Sequence, residues 1–225
     1  MQPAIARREA GFAALTLSLN FMADDASARL SRRDARILWI LTALCLAAYL
    51  PQWAGLLTQA WPFDDDGVRL FNNWRGFARD SLWRGLLPLW NPHLFCGVPF
   101  LANNQTAVLY PPNVLYWLLP LPVALLLDAG AHNLLLTFGG YALARRLHLS
   151  RTSAFVVAAL LGFGGAVAAH INTGHMTWHA ARAYLPWELW ALLSYLRSGR
   201  RRYVGALVGF LTLQIASGYL PIVLL

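Results

Sequence analysis

Residues 123–169 read VALLLDAGAHNLLLTFGGYALARRLHLSRTSAFVVAALLGFGGAVAA, and this stretch decides the fold. Two apolar runs, 123–143 and 152–169, are separated by a short segment that carries Arg145, Arg146 and Arg151. Each run is close to the roughly 20 residues that a helix needs to cross a bilayer. The stretch therefore predicts two membrane-spanning helices joined by a basic loop.

The composition of the whole chain agrees with a membrane protein. The chain has 225 residues, of which 58% are hydrophobic and 12% charged, and its mean hydropathy is +0.46. A soluble domain carries about a quarter charged residues, so this chain is too apolar for that class. The net charge of +8 comes from arginines that mostly flank the apolar runs. We therefore expect contact with lipid headgroups and not with nucleic acid.

Three further apolar runs, 37–57, 176–196 and 203–225, bring the number of predicted spans to five. The fold class that we predict is an all-α integral membrane domain over 37–225, preceded by a cytoplasmic segment, 1–36. With the N-terminus inside, thirteen arginines fall on the cytoplasmic side and five on the other. Because basic residues accumulate on the cytoplasmic side of membrane proteins, this count favours that orientation.

The first external loop, 61–112, is the one long connection between predicted spans. Its segment Phe71–Leu87 has helical periodicity with an aromatic face, which predicts an interfacial helix with its Trp and Phe side chains among the headgroups. Residues Asn113–Leu119 predict a second interfacial helix. We expect the loop to carry the chemistry of the protein, because long loops in compact domains are often functional.

Three adjacent carboxylates, Asp64, Asp65 and Asp66, open this loop. Such a cluster is suited to holding a divalent metal, with Asp64 and Asp66 as ligands, or to supplying a general base. A structural alternative is equally compatible with the spacing. Asp66 precedes Gly67 and a predicted helix start, so its side chain could simply cap that helix in a solvated loop.

The rest of the loop is dense in polar and aromatic side chains. Trp83 and Trp90 offer flat faces on which a sugar could stack, while Asn91 and Gln105 offer hydrogen-bond groups. The alternative is that the amides satisfy the backbone of a proline-rich loop. The density of these groups together favours a binding loop.

A histidine-rich segment forms the second external loop. His175 and His179 are four residues apart, which places them on one face of a helix. That spacing suits zinc, but the segment lacks the glutamate of the metalloprotease motif. With Arg182, the histidines could instead contact an anionic phosphate; the alternative is that they anchor the chain in the headgroup region.

The remaining ionisable and thiol groups are scattered. Asp128 and His132 lie four residues apart inside a predicted span, either as a functional pair or as a buried ion pair that locks helices together. Glu188 is a second carboxylate candidate near the external end of its span. Cys45 and Cys96 are not expected to pair or to bind metal.

A series of motifs follows in fixed order along 64–116: Asp66, Phe71–Trp74, GLLPLWNP at 85–92, GVP at 97–99, Gln105 and YPPNVLY at 110–116. Later in the chain come Gly174-His175 and Leu185-Pro186. Together these motifs resemble those of the YfhO-like bacterial membrane proteins, which belong to the GT-C group of multi-spanning glycosyltransferases. The resemblance covers about 37–225.

The resemblance implies transfer of a sugar from a polyprenyl-phosphate carrier on the external face of the membrane. Asp66, with Asp65 beside it, matches the acidic residue that serves such enzymes as base or as contact to a divalent metal, Mg or Mn. On this hypothesis three residues hold the phosphate, namely Arg69, His175 and Arg182. Trp83, Trp90, Asn91 and Gln105 shape the sugar site.

The resemblance also implies a cellular location for the protein and a larger number of spans than this chain has. We expect a multi-pass protein of the bacterial cytoplasmic (inner) membrane, with the first loop on the periplasmic side and a cell-envelope glycan or polymer as acceptor. Relatives have more spans, and this chain stops inside an apolar run, so we expect an N-terminal part that is inactive alone. The alternative is a non-catalytic protein, either a lipid-linked-sugar transporter or an assembly partner. A transporter would show broken helices that meet polar groups near the midplane.

Overall fold

The computed structural model of the protein describes residues 31–58, 62–63 and 66–223, and of Val68 only the backbone. Most of the predicted cytoplasmic segment therefore lies outside the described residues. The same holds for Asp64 and Asp65, so their predicted roles remain predictions.

The described chain is mostly helical, which is compatible with the predicted all-α class. Its α-helices are α1 Arg32–Ala48, α2 Leu50–Leu57, α3 Asn72–Trp83, α4 Val114–Leu118, α5 Leu121–Arg146, α6 Arg151–Phe163, α7 Gly165–Asn172, α8 Met176–Ser198, α9 Arg201–Ala216 and α10 Leu220–Val223. A π-helical turn, Gly67–Phe71, leads into α3, and 3₁₀ turns occupy Asn104–Thr106 and Pro111–Asn113. The strands β1 Trp90–Asn91 and β2 Val98–Pro99 pair antiparallel, with Trp90 opposite Pro99.

Three helical segments of the described chain are long and apolar enough to cross a membrane. They are Arg32–Leu57, Leu121–Arg146 and Arg151–Asn172. They coincide with three of the five predicted spans. The other two predicted spans fall on α8, which carries Arg182 and Glu188, and on α9, which has only 16 residues.

Three of the predicted spans, 37–57, 152–169 and 203–225, are each broken at or beside a residue that disfavours a continuous helix. Tyr49 separates α1 from α2, just before Pro51, which has no N–H to donate. Gly164 separates α6 from α7. Gly218 has φ +96°, a conformation that favours glycine, and lies between α9 and α10. The run 203–225 is thus divided into two helices, where the sequence predicted one.

Helix α5 lies at the centre of the bundle, between α6 and α8, and α9 packs on the other side of α8. Two adjacent glycines of α5 permit the close approach. A β-carbon on Gly139 would collide with the ring of Trp187, and one on Gly140 would collide with Leu161. Small residues have this role in membrane helix pairs generally.

A buried carboxylate joins three helices at the arginine-rich end of the bundle. Asp34 forms a capping box with Ser31 at the start of α1. Its Oδ1 accepts hydrogen bonds from the Tyr141 hydroxyl at 2.7 Å and from Arg151 Nε at 3.0 Å. Asp34 therefore ties α1 to α5 and α6 at the end where the basic residues cluster.

Candidate functional site

Asp66 and His175 are in direct contact, although more than 100 residues separate them in the chain. His175 Nε2 lies 3.0 Å from Asp66 Oδ2. Asp66 occupies the position before the π-helical turn, yet its side chain makes no capping hydrogen bond there. The carboxylate thus faces His175 from the second loop, so the capping alternative does not describe what this side chain does.

Two glycines bring the loops this close together. A β-carbon on Gly67 would lie 3.0 Å from Phe63 Cβ and 3.3 Å from Gly174 Cα, so the backbones of the two loops are nearly in contact. Gly174 has φ +77°, which turns the chain between α7 and α8. His175 follows this turn as the N-cap residue of α8.

Aromatic and basic side chains continue the site from His175 along α8. The ring of His170 lies 5.2 Å from that of His175, edge to face, and stacks on Trp178 at 3.7 Å. The guanidinium carbon of Arg182 lies 5.0 Å from the centre of the Trp178 ring. We call these five residues (Asp66, His170, His175, Trp178 and Arg182) the Asp66 cluster.

The Asp66 cluster is open to a ligand. The side chains of Asp66 and His175 keep 35% and 40% of their exposure. Arg182 Nη1, in contrast, is buried and has no hydrogen-bond partner among the described residues. A guanidinium donor of this kind pairs well with an anionic oxygen such as that of a phosphate. The cluster therefore has a carboxylate at one end and a guanidinium at the other, with the rings of His175, His170 and Trp178 between them.

The Asp66 cluster lies near the start of α8, and the basic cluster that begins with Arg197 lies at its other end. His175 precedes its first residue and Arg197 is in its last turn. Twenty-two residues of helix measure roughly 33 Å, which is about the thickness of the hydrocarbon core of a bilayer. This separation agrees with the charge layout of the sequence.

The predicted divalent metal has no complete set of ligands in the part of the chain that the structure describes. No group of three His, Cys, Asp or Glu side chains there is arranged to hold a metal ion. Asp66 is engaged by His175, and Asp64 lies outside the described residues. The metal therefore remains a prediction, and no chemical step below depends on it.

Two other predicted residues lie near the cluster in sequence but have different surroundings. Arg69 is exposed on the π-helical turn that follows Asp66. His179 is buried, and its Nε2 donates to the Ala129 carbonyl oxygen of α5 at 3.2 Å. Because His175 precedes the helix and His179 is directed into the bundle, the two histidines do not form the pair that the spacing predicted.

The predicted sugar-binding residues belong to a different part of the loop. Trp83 ends α3, and the seventeen residues from Asp66 correspond to roughly 25 Å of helix. Asn91 is buried, and its side-chain oxygen accepts from the His93 N–H at 2.9 Å. Trp90 is exposed and packs against Gly97, and Gln105 packs against Gly218.

A buried polar network connects the loop to the helices, and the sequence indicated only two of its members. His132 Nδ1 lies 3.1 Å from Asp128 Oδ1, as the i, i+4 spacing predicted. The Tyr116 hydroxyl donates to Asp128 Oδ2 at 2.9 Å. The Tyr110 hydroxyl lies 2.6 Å from His132 Nε2 and 2.5 Å from the Tyr184 hydroxyl. We call these five residues the tyrosine network.

The direction of the hydrogen bonds in this network follows from its acceptors. His132 Nδ1 lies 2.7 Å from the Asp128 carbonyl oxygen, which can only accept, so Nδ1 carries a proton. Burial raises the pKa of the Tyr110 and Tyr116 hydroxyls, so both remain protonated. Buried Arg75 adds a cation 5.1 Å from the Tyr116 ring. Tyr110 and Tyr116 belong to the YPPNVLY motif, but nothing in the sequence pointed to Tyr184 as their partner.

Glu188 lies deeper than the sequence suggested. It is buried near the middle of α8, where we expected it near the end of a span, and its Oε1 has no hydrogen-bond partner among the described residues. Glu188 thus lies one helical turn along α8 from Tyr184 of the tyrosine network.

Comparison of the chain with models of protein families, with curated proteins and with solved structures gives no match. Nothing in these comparisons identifies the chain as a YfhO-like protein. Function must therefore be argued from the geometry of the Asp66 cluster and the tyrosine network.

Proposed function

We propose that the protein is a membrane glycosyltransferase, or part of one, that uses a polyprenyl-phosphate-linked sugar as donor. The observation that carries this proposal is the contact between Asp66 and His175, which the stacked rings of His170 and Trp178 connect to Arg182. The cluster combines a carboxylate suited to take a proton with a guanidinium suited to hold a phosphate, about one bilayer thickness from the arginine-rich end.

In the reaction that we propose, Asp66 accepts the proton of the acceptor hydroxyl, which belongs to a cell-envelope glycan or polymer. The acceptor oxygen forms a bond to the anomeric carbon of the sugar as the bond from that carbon to the phosphate oxygen breaks. The polyprenyl phosphate leaves with the electron pair, and the configuration at the anomeric carbon is inverted. His175 orients the carboxylate by donating from Nε2, which is the usual function of a partner to a general base.

Arg182 has the complementary role in this proposal. Negative charge grows on the phosphate as the carrier leaves, and a positioned donor stabilises that charge more strongly than it stabilises the bound substrate. Nη1 of Arg182 is buried and has no hydrogen-bond partner among the described residues, so it must turn toward the opening to meet a phosphate oxygen, and that movement breaks no hydrogen bond of this atom. The Trp178 ring holds the guanidinium in place through their cation–π contact.

The test measures sugar transfer in bacterial membranes that contain the product of the complete gene. Membranes are incubated with a panel of radiolabelled polyprenyl-phosphate hexoses, and label is followed into the delipidated polymer fraction. We expect transfer with at least one donor and a loss of at least about a hundredfold in Asp66→Asn, because general-base groups contribute about 10²–10⁴-fold. Asp80→Asn is the matched control, since Asp80 is an exposed carboxylate of the same loop.

The proposal fails if none of the donors is consumed above the level of membranes without the protein. It also fails if Asp66→Asn and Asp80→Asn have equal rates at equal amounts of folded protein. In Arg182→Gln we expect a decrease in transfer with the Asp66–His175 contact intact.

A second candidate is a transporter of lipid-linked sugars, and two observations favour it. Three helical segments are broken, at Tyr49, at Gly164 and at Gly218. Polar groups also lie at the middle of long helices, with His132 in α5 and Glu188 in α8. Broken helices that meet buried polar groups are typical of transporters. Flipping of a fluorescent polyprenyl-phosphate sugar across vesicles that contain the protein, without transfer to any acceptor, would support this candidate over the enzyme.

A further inference from the structure

An apolar surface of the loop faces outward between α3 and the two short strands. It consists of Trp83, Leu86, Leu87, Leu89, Trp90 and Leu118, whose exposures range from 53% to 74%. Single exposed leucines are ordinary in proteins. A patch of six large apolar residues, five of them within 83–90, is unusual, and such a patch marks a site of contact. We call these six residues the loop surface.

The loop surface is not the aromatic face that the helical periodicity predicted. Phe71 is buried, and its ring packs edge to face on Trp74 at 5.6 Å. Phe77 packs in the same way on Phe100 at 4.9 Å. The aromatic face of α3 is therefore used inside the protein, and the loop exposes a different set of apolar residues.

The loop surface is next to a helix that is suited to cross the membrane. Trp83 Nε1 donates to the Trp117 carbonyl oxygen at 3.1 Å, so the end of α3 is fixed to α4 beside Leu118. Leu118 is the last residue of α4 and lies three residues before Leu121, where α5 begins. The surface is thus located at the end of a candidate span, where the hydrocarbon of a bilayer gives way to headgroups.

The polar groups around the loop surface are also typical of the boundary between hydrocarbon and headgroups. The guanidinium carbon of Arg79 lies 5.0 Å from the Trp83 ring, and Arg79 also pairs with the exposed Asp80 at 3.4 Å. Arg84 follows directly and is exposed. Tryptophan rings with adjacent arginines are enriched at membrane interfaces, because the ring enters the headgroup region and the cation remains near phosphate.

We propose that the loop surface is buried in the bilayer interface and fixes the polar loop on the membrane. The occupant of the surface is lipid, because the surface lies beside the first residues of the candidate span α5 and is flanked by the cations of Arg79 and Arg84. Trp83 and Trp90 are then lipid contacts, and a sugar site does not require them. The proposal is independent of the glycosyltransferase assignment, since it concerns where the loop lies and not what the Asp66 cluster does.

The test places a nitroxide label on the loop surface and measures its accessibility to oxygen and to a water-soluble nickel chelate in phospholipid vesicles. The background is Cys96→Ser with Cys45→Ala, so that each variant has one cysteine. Labels are attached in Leu87→Cys and Leu118→Cys. Trp39→Cys gives a lipid-facing reference, since Trp39 is 74% exposed in the candidate span Arg32–Leu57, and Asn73→Cys gives an exposed polar reference on α3.

We expect the ratio of oxygen to nickel accessibility at both loop positions to approach that of Trp39→Cys and to exceed that of Asn73→Cys several-fold. A ratio equal to that of Asn73→Cys would show a surface in water and would overturn the proposal. Exclusion of both reagents would also overturn it, because protein, such as a second copy of the chain, would then cover the surface. If Leu87→Cys lowers the melting temperature strongly, Leu86→Cys replaces it at a neighbouring position of the same surface.

Discussion

Gly67 and Gly174 lie against each other, with 3.3 Å between the position of a β-carbon on the first and the α-carbon of the second. This contact joins the two loops that carry Asp66 and His175. The geometry of the candidate site therefore depends on two residues that have no functional group of their own.

We expect Gly67→Ala to destabilise the protein and to separate Asp66 from His175. The added methyl would lie 3.0 Å from Phe63 Cβ, and overpacking of this kind costs about 1–3 kcal/mol. The melting temperature in detergent measures the effect. Gly76→Ala is the control, because its nearest neighbour, a Leu121 methyl, is 3.6 Å away, and alanine favours a helix by about 1 kcal/mol. Equal melting temperatures for the two variants would contradict the prediction.

We expect the Asp66–His175 pair to contribute little to stability. Both side chains are more than one-third exposed, and exposed ion pairs are worth only about 0–1 kcal/mol. A double-mutant cycle with Asp66→Asn and His175→Gln, measured by thermal unfolding, should give a coupling within that range. A much larger coupling would mean that the pair holds the loops together, and its effect on sugar transfer would then be structural.

We expect Asp34→Asn to lower the free energy of unfolding by roughly 2 kcal/mol, since hydrogen bonds to a charged group are worth about 1.5–3 kcal/mol. The Asp34 side chain is only 8% exposed and accepts from Arg151 and Tyr141. Asp80→Asn is the control, because Asp80 pairs with Arg79 while 56% exposed, and its change should remain within about 0.5 kcal/mol. If both substitutions have the same small effect, Asp34 does not hold the three helices together.

We expect Tyr110→Phe to cost about 1–3 kcal/mol, because it leaves buried groups of His132 and Tyr184 without a partner. Tyr195→Phe is the matched control, since Tyr195 lies on the exposed side of α8 and is 38% exposed. Urea unfolding in detergent, followed by tryptophan fluorescence, compares the two. A Tyr110→Phe variant as stable as the control would show that the tyrosine network does not fix the loop to α5.

The long apolar helices were predictable because their signal is local. The runs 37–57, 123–143 and 152–169 have the length and composition of spans, and the described chain has candidate spans at the same places. The break at Gly218 was not predictable in the same way. The stretches 203–213 and 219–223 on either side are mostly apolar, so hydropathy alone shows one continuous run, and the positive φ of Gly218 divides it into α9 and α10.

The candidate site was predictable in part. The sequence identified Asp66, His175 and Arg182 as residue types suited to the chemistry, and the spacing of Asp128 and His132 indicated their pairing. The i, i+4 spacing of Trp178 and Arg182 on α8 was a further signal in the sequence. The sequence did not indicate that His170 stacks on Trp178, because these two residues lie on different helices, α7 and α8. Tyr184 was missed for the same reason, since its partner Tyr110 is 74 residues away.

The sequence by itself determined the mostly helical character of the protein, its long apolar helices and the positions of its arginines, because hydropathy and charge act through local composition. Tertiary structure alone decided which polar residues meet. Gly67 and Gly174 bring Asp66 to His175, and the packing of α5 on α8 brings His132 and Tyr184 to Tyr110. Tertiary packing also buries Phe71 while Trp83 and Leu118 remain exposed. Each of these arrangements depends on contacts between distant parts of the chain. The free energy of such contacts depends on how two surfaces fit together, which no short stretch of sequence specifies.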